Sequence, residues 1–116
     1  MKGLRKTFYQ QLDLICLRPN MFLRKKSIFY LDCYLMGYQD FAILHNIPLK
    51  ESYHEKPNFY FFNQFIKDKF KQPSSTLGWS EIIFSVSEKN EELAFDNFFE
   101  LLYEYKNSHI HDATNI

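Results

Sequence analysis

The sequence predicts an all-α fold, a compact single-domain bundle of about five helices, on three observations. Apolar residues recur at three- and four-residue spacing along most of the chain. Only three Gly and four Pro occur in 116 residues, too few for the frequent tight turns of an all-β fold. Thirteen Phe and eight Tyr raise the aromatic share to 19%, ample for one core and too rich for a disordered chain. The length suits one domain, expected over residues 1–106, with 107–116 as a flexible C-terminal tail.

The first helix is expected from about Leu4 to Cys16, with Leu4, Phe8, Leu12 and Ile15 on one face. Pro19 ends it, because proline lacks a donor and disfavours helical geometry in the preceding residue. A connection from Arg18 to Leu23 and the basic cluster Arg24-Lys25-Lys26 follow. Ser27 is a good N-cap for a second helix reaching about His45. Ile28, Leu31, Leu35, Tyr38 and Ala42 form its main stripe, and Tyr34, Met36, Phe41 and Ile43 extend the apolar surface round it. So little polar surface predicts a central helix. Gly37 costs it about 1 kcal/mol relative to Ala, and the expected compensation is close approach of a neighbouring helix.

Asn46 to Lys56 reads as a polar connection containing Pro48. Pro57 and Asn58 open a third helix burying Phe59, Phe62, Phe65, Ile66 and Phe70. Gln72 to Gly78 is a loop by its Pro, Ser and Gly content. Trp79, Ile82, Ile83 and Val86 then fall at i, i+3, i+4, i+7 and predict a short amphipathic helix. The β-branched content of residues 82–86 leaves a strand as the alternative. The last helix starts near Asn90, with Glu91 and Glu92 in its first turn, where negative charge is favoured. Phe95, Phe98, Phe99, Leu102 and Tyr105 make its inner face, and fraying is expected from Asn107.

No apolar run approaches the roughly 18 to 20 residues that span a bilayer. The basic start Met1-Lys2-Gly3-Leu4-Arg5-Lys6 resembles a signal n-region, but Tyr9-Gln10-Gln11 and Asp13 interrupt the apolar stretch and no cleavage site follows. A cytoplasmic protein without membrane association is expected. Cys16 and Cys33, the only cysteines, are expected to be reduced core residues.

Net charge is zero but unevenly placed: eight Lys/Arg against three Asp in residues 1–50, six Lys against eleven acids in 51–116. This is not the net basic surface of a general nucleic-acid binder, and no direct nucleic-acid contact is expected. No catalytic constellation appears, which argues against an enzyme. His109, His111 and Asp112 lie in the polar tail without further ligands, His45 and His54 have no acid or thiol at a telling spacing, and Gly3, Gly37 and Gly78 are isolated. No catalytic residue, metal or cofactor is assigned. The aromatics interleaved with Lys from Phe59 to Lys67 read as core at helical spacing rather than as a base-stacking platform.

The most informative feature is acidic. Glu92, Asp96, Glu100 and Glu104 fall four residues apart and line one face of the last helix, opposite its aromatic stripe. Like charges at i, i+4 repel by a few tenths of a kcal/mol per pair. Such a row is either a solvated flank or a ridge that meets a cationic partner. Glu88, Glu91, Glu92, Asp96, Glu100, Tyr103 and Glu104 are therefore the candidate partner-binding residues.

The segment Arg18-Pro19-Asn20-Met21-Phe22-Leu23, then Ser27, Leu31 and Gly37-Tyr38, resembles an "RPxM(Y/F)L…S…L…GY" pattern. Phe62 and Phe65, Gly78-Trp79, Ile82-Ile83 and the stretch Ala94-Phe95-Asp96-Asn97-Phe98-Phe99-Glu100-Leu101-Leu102 continue it. Over residues 12 to 105 the chain is thus similar to the small CdiI-type immunity proteins of bacterial contact-dependent growth inhibition and related polymorphic toxin systems. It departs at Leu23-Arg24-Lys25-Lys26, where a glycine-containing turn is expected. The resemblance implies stoichiometric binding and neutralisation of a cognate CdiA-CT-like toxin domain. Such toxins are commonly nucleases with basic clefts, so the acidic ridge would act as a phosphate mimic. The alternative is a helical adaptor or regulator that binds nucleic acid or another protein through the basic N-terminal half, at Arg18, Arg24, Lys25 and Lys26.

Overall fold

A computed structural model describes residues 8–46, 58–72 and 75–108. Among them are six helices, one 3-10 turn and no strand: α1 (Phe8–Leu17), α2 (Pro19–Phe22), α3 (Ile28–Leu44), the 3-10 turn Phe59–Phe61, α4 (Phe62–Lys69), α5 (Trp79–Val86) and α6 (Glu91–Ser108). The chain is all-α, as its periodicity predicts. The starting point near Leu4, the connection around Pro48 and the tail beyond Ser108 lie outside the described residues.

Proline sets the first surprise. Pro19 stands where α1 has ended, but it also occupies the first position of α2, which turns the expected connection into a short helix. Proline suits that position because the missing N–H has no intrahelical partner there and the fixed φ is already helical. The Leu23 amide closes the turn on the Pro19 carbonyl at 2.7 Å, and the Leu23 side chain is buried.

Ser27 caps α3 as expected, its hydroxyl accepting from the Phe29 and Tyr30 amides. Ile28, Leu31 and Leu35 are buried, but Met36, Phe41, Ile43 and Leu44 are exposed, Phe41 by 60% and Leu44 by 79%. The helix is therefore central chiefly in its first half; in the second, Tyr38 still packs against Phe8 at 5.4 Å, while Met36, Phe41, Ile43 and Leu44 face outward. Gly37 follows the same rule. Among the described residues, a Cβ built there meets no atom within 4 Å, so none of the described helices makes the expected close approach at this residue.

The third segment is split. Asn58 accepts from the Tyr60 amide at 2.8 Å and opens a 3-10 turn, and α4 follows from Phe62. Phe59, Phe62 and Ile66 are buried, while Phe65 and Phe70 pack against the core from its edge. Residues 79–86 form a helix and not a strand, with Ile82 and Ile83 buried and Val86 45% exposed. The last helix runs through Ser108, past the expected limit at 106, because Tyr105 is buried and anchors its final turns.

The core is chiefly aromatic. Phe62 meets Trp79, Phe98 and Tyr105 edge-on at 5.9, 5.4 and 5.5 Å, and Trp79 lies 5.0 Å from Phe98 and 6.3 Å from Phe59. Edge-to-face pairs of this kind add about 0.5–1.5 kcal/mol each beyond area burial. Three serine hydroxyls tie the helices together. Ser27 donates to Glu91 Oε1 at 2.5 Å, Ser80 donates to Asp32 Oδ2 at 2.6 Å, and Ser87 accepts from Asn97 Nδ2 at 2.8 Å. All three serines are buried, where a satisfied polar group fixes register and an unsatisfied one is costly. Cys16 and Cys33 are both exposed, contrary to the core placement expected of them. Cys16 directly follows buried Ile15, and Cys33 lies two residues from both Leu31 and Leu35, on the side of its helix opposite them, so neither thiol points into the core.

Candidate protein-interaction face

The acidic helix α6 is positioned by its own start and by its inner face. Asn90 Oδ1 accepts from the Leu93 amide at 3.0 Å and caps the helix, and Glu91 and Glu92 complement the positive end of its dipole. Ala94, Phe95, Phe98, Leu102 and Tyr105 are buried on one side. A four-residue step advances by just over one helical turn, so Glu92, Asp96, Glu100 and Glu104 emerge in a row on the opposite side, and all four are exposed. Tyr103, 70% exposed, stands beside the row.

The other two candidates are placed differently. Glu88 sits in the α5–α6 junction with φ 59°, followed by Lys89 with φ 53°. These two left-handed residues let the Lys89 amide return to the Phe84 carbonyl at 3.1 Å, which closes α5. Glu88 is exposed there, off the ridge. Glu91 is half-buried and already engaged, accepting from Ser27 and lying 3.9 Å from Lys25 Nζ. It braces α3 against α6.

Lysines distant in sequence reach the ridge, a relation that helical spacing within one segment does not reveal. Lys26 Nζ lies 2.8 Å from Asp96 Oδ1, and Lys69 Nζ lies 2.7 Å from Glu104 Oε2. The hydrogen bond to Asp96 raises the Lys26 ammonium above its ordinary pKa. Lys25 and Lys26 of the basic cluster ahead of α3 are thus folded against the acidic helix. Among the described residues, Glu92 and Glu100 have no cation within ion-pair distance.

Beside Glu100 the surface dips into a groove of about 250 Å³ lined by Phe70, Val86, Asn97, Glu100, Leu101 and Glu104. Phe70 and Val86 were expected to turn inward; their partial exposure supplies its apolar wall. A second groove, about 280 Å³, is lined by Gln39, Phe59, Tyr60, Asn63 and Trp79, and the buried Asn63 Oδ1 has no hydrogen-bond partner among the described residues.

Among the described residues, no group of three or more His, Cys, Asp or Glu side chains converges to hold a metal. His109, His111 and Asp112 lie outside the described residues. Desolvation, followed by the Asp13 and Asp96 carboxylates, pushes the Cys16 thiol above its usual pKa, which disfavours the thiolate. No helix among the described residues is long and apolar enough to cross a membrane. Comparison with family models, curated proteins and solved structures finds no match.

Proposed function

We propose that this chain is an immunity protein that binds a cognate bacterial toxin domain stoichiometrically and neutralises it, presenting the outer face of α6. The observation that carries the reading is the row Glu92, Asp96, Glu100 and Glu104, exposed along one helix face, with Tyr103 projecting beside it. Aligned carboxylates attract a basic surface and raise its encounter rate. An exposed tyrosine supplies the large, low-entropy contact that holds a complex once formed. A nuclease toxin fits best, since its substrate cleft is basic, and the complex would form in the cytoplasm. The resemblance of residues 12 to 105 to CdiI-type proteins supports the same reading.

Within the ridge, Glu92 and Glu100 form no ion pair among the described residues and are the acids best placed to steer a partner, although Glu92 also acts on Lys26 through space. Asp96 and Glu104, by contrast, are paired with Lys26 and Lys69. The pairing of Lys25 and Lys26 with Glu91 and Asp96 also weakens the rival reading. Those lysines are partly spent within the fold and offer less charge to phosphate.

The test is co-expression with the toxin domain encoded by the neighbouring gene. Wild-type chain should restore growth and bind one to one. The double reversal Glu92→Lys/Glu100→Lys should slow association and flatten its salt dependence. Unchanged association would rule out the ridge, and no rescue by the wild-type chain would rule out the immunity role. A salt-dependent gel shift with duplex DNA or RNA would support the rival instead.

A further inference from the structure

We propose that the groove between the end of α4, the end of α5 and the middle of α6 receives a single arginine side chain from the partner protein. This deepens the reading above and rests on it for the kind of partner. The groove has two chemically distinct parts. Phe70, Val86 and Leu101 give an apolar wall, with Val86 45% exposed and no described side chain covering it. Asn97, Glu100 and Glu104 give the polar rim.

That rim is biased toward acceptors. Asn97 commits its Nδ2 to Ser87 at 2.8 Å, which orients its amide oxygen away from that bond as an acceptor. Glu100 is a carboxylate with no cation beside it among the described residues, and Glu104 is held at 2.7 Å by Lys69. An occupant must therefore bring donors, positive charge and an apolar stem. Arginine meets all three demands. Its methylenes cover Val86 and Leu101, its guanidinium plane stacks on the Phe70 ring, and its fork of N–H groups reaches Glu100 and Asn97 together. A lysine ammonium offers the charge but not the planar fork. The volume, about 250 Å³, accommodates one long side chain.

The test uses the full chain and a free probe, N-acetyl-arginine N-methylamide, with its neutral citrulline counterpart as control. Methyl and amide NMR shifts of Val86 and Leu101 should saturate with the arginine probe and not with citrulline. Glu100→Gln should weaken binding at least about fivefold, as loss of a charge-assisted hydrogen bond does. Lys69→Met, which frees Glu104, should strengthen it. Equal response to citrulline, shifts spread along all of α6, or no saturable response at the groove would overturn the assignment. The probe is independent of any toxin, so failed growth rescue with intact arginine binding would sink the immunity reading, and the converse result would sink only the groove.

Discussion

Lys26 Nζ sits 2.8 Å from Asp96 Oδ1 and 3.0 Å from Oδ2, joining the basic connection ahead of α3 to the acidic ridge of α6 across 70 residues of chain. Its stem also carries the ammonium to 5.9 Å from the Phe95 ring. The pair is solvent-facing, so its net contribution to stability is small, roughly 0.2–1 kcal/mol. Lys26→Met keeps the stem and removes the charge. It should lower unfolding free energy by less than about 1 kcal/mol in urea titrations. If the ridge meets a basic partner, the same variant should associate faster at low salt, because Asp96 is released.

Ser27 matters more. Its one hydroxyl accepts from two α3 amides and donates to Glu91, in a fully buried position. Ser27→Ala removes a cap and leaves a carboxylate oxygen short of a donor, so a loss of about 2 kcal/mol is expected. Chemical denaturation measures it. A loss below about 0.5 kcal/mol, the scale of an ordinary surface change, would show that the Ser27–Glu91 tie is not formed in solution.

Gly37 gives a prediction of the opposite sign. It lies mid-helix, exposed, and among the described residues no atom stands within 4 Å of where a Cβ would be. Gly37→Ala therefore meets no steric cost and removes backbone entropy from the unfolded chain, a gain of about 0.4–1 kcal/mol. A fall in melting temperature would indicate a close neighbour at this residue.

Alkaline pH should destabilise the fold. Burial pushes the Tyr105 hydroxyl from 10.0 up to about 12, and the Asp96 hydrogen bond raises Lys26 above 10.5. Both groups keep their protons longer when folded. The unfolded chain releases them first, so their contribution is complete below about pH 10 and declines as pH climbs through the folded values. The Tyr105 hydroxyl also donates to the Asn58 carbonyl at 2.5 Å. Tyr105→Phe should cost about 1 kcal/mol at neutral pH through that lost bond and make the alkaline decline shallower. Urea midpoints taken from about pH 9 to about pH 11.5 check both limbs. An unchanged alkaline slope in Tyr105→Phe would mean the hydroxyl titrates normally.

Much of the fold is legible from residue spacing, and the failures share one cause. Ser27 as a cap, α3 ending at Leu44, the helix at Trp79–Val86 and the start of α6 at Glu91 all follow from local signals that act within a few residues. Those signals do not report how far a neighbouring element extends. Phe41, Ile43 and Leu44 satisfy the pattern of a buried helix, yet the described residues leave them exposed. The cysteines and Gly37 fail for the same reason, since depth belongs to the packed assembly. Pro19 shows a different ambiguity: the same chemistry that ends one helix begins another. At the candidate face, the period of the acids placed Glu92, Asp96, Glu100 and Glu104 correctly on one exposed line. The lysines that meet two of them come from 35 and 70 positions away, beyond the reach of any periodicity.

Trp79 is the chain's single indole, and it touches rings from the 3-10 turn, α4 and α6 at once. Its ultraviolet emission is consequently a built-in gauge of the whole aromatic assembly. Unseating any one of those three elements would let more water reach the half-buried ring and shift its colour toward the red, without a label or an added dye.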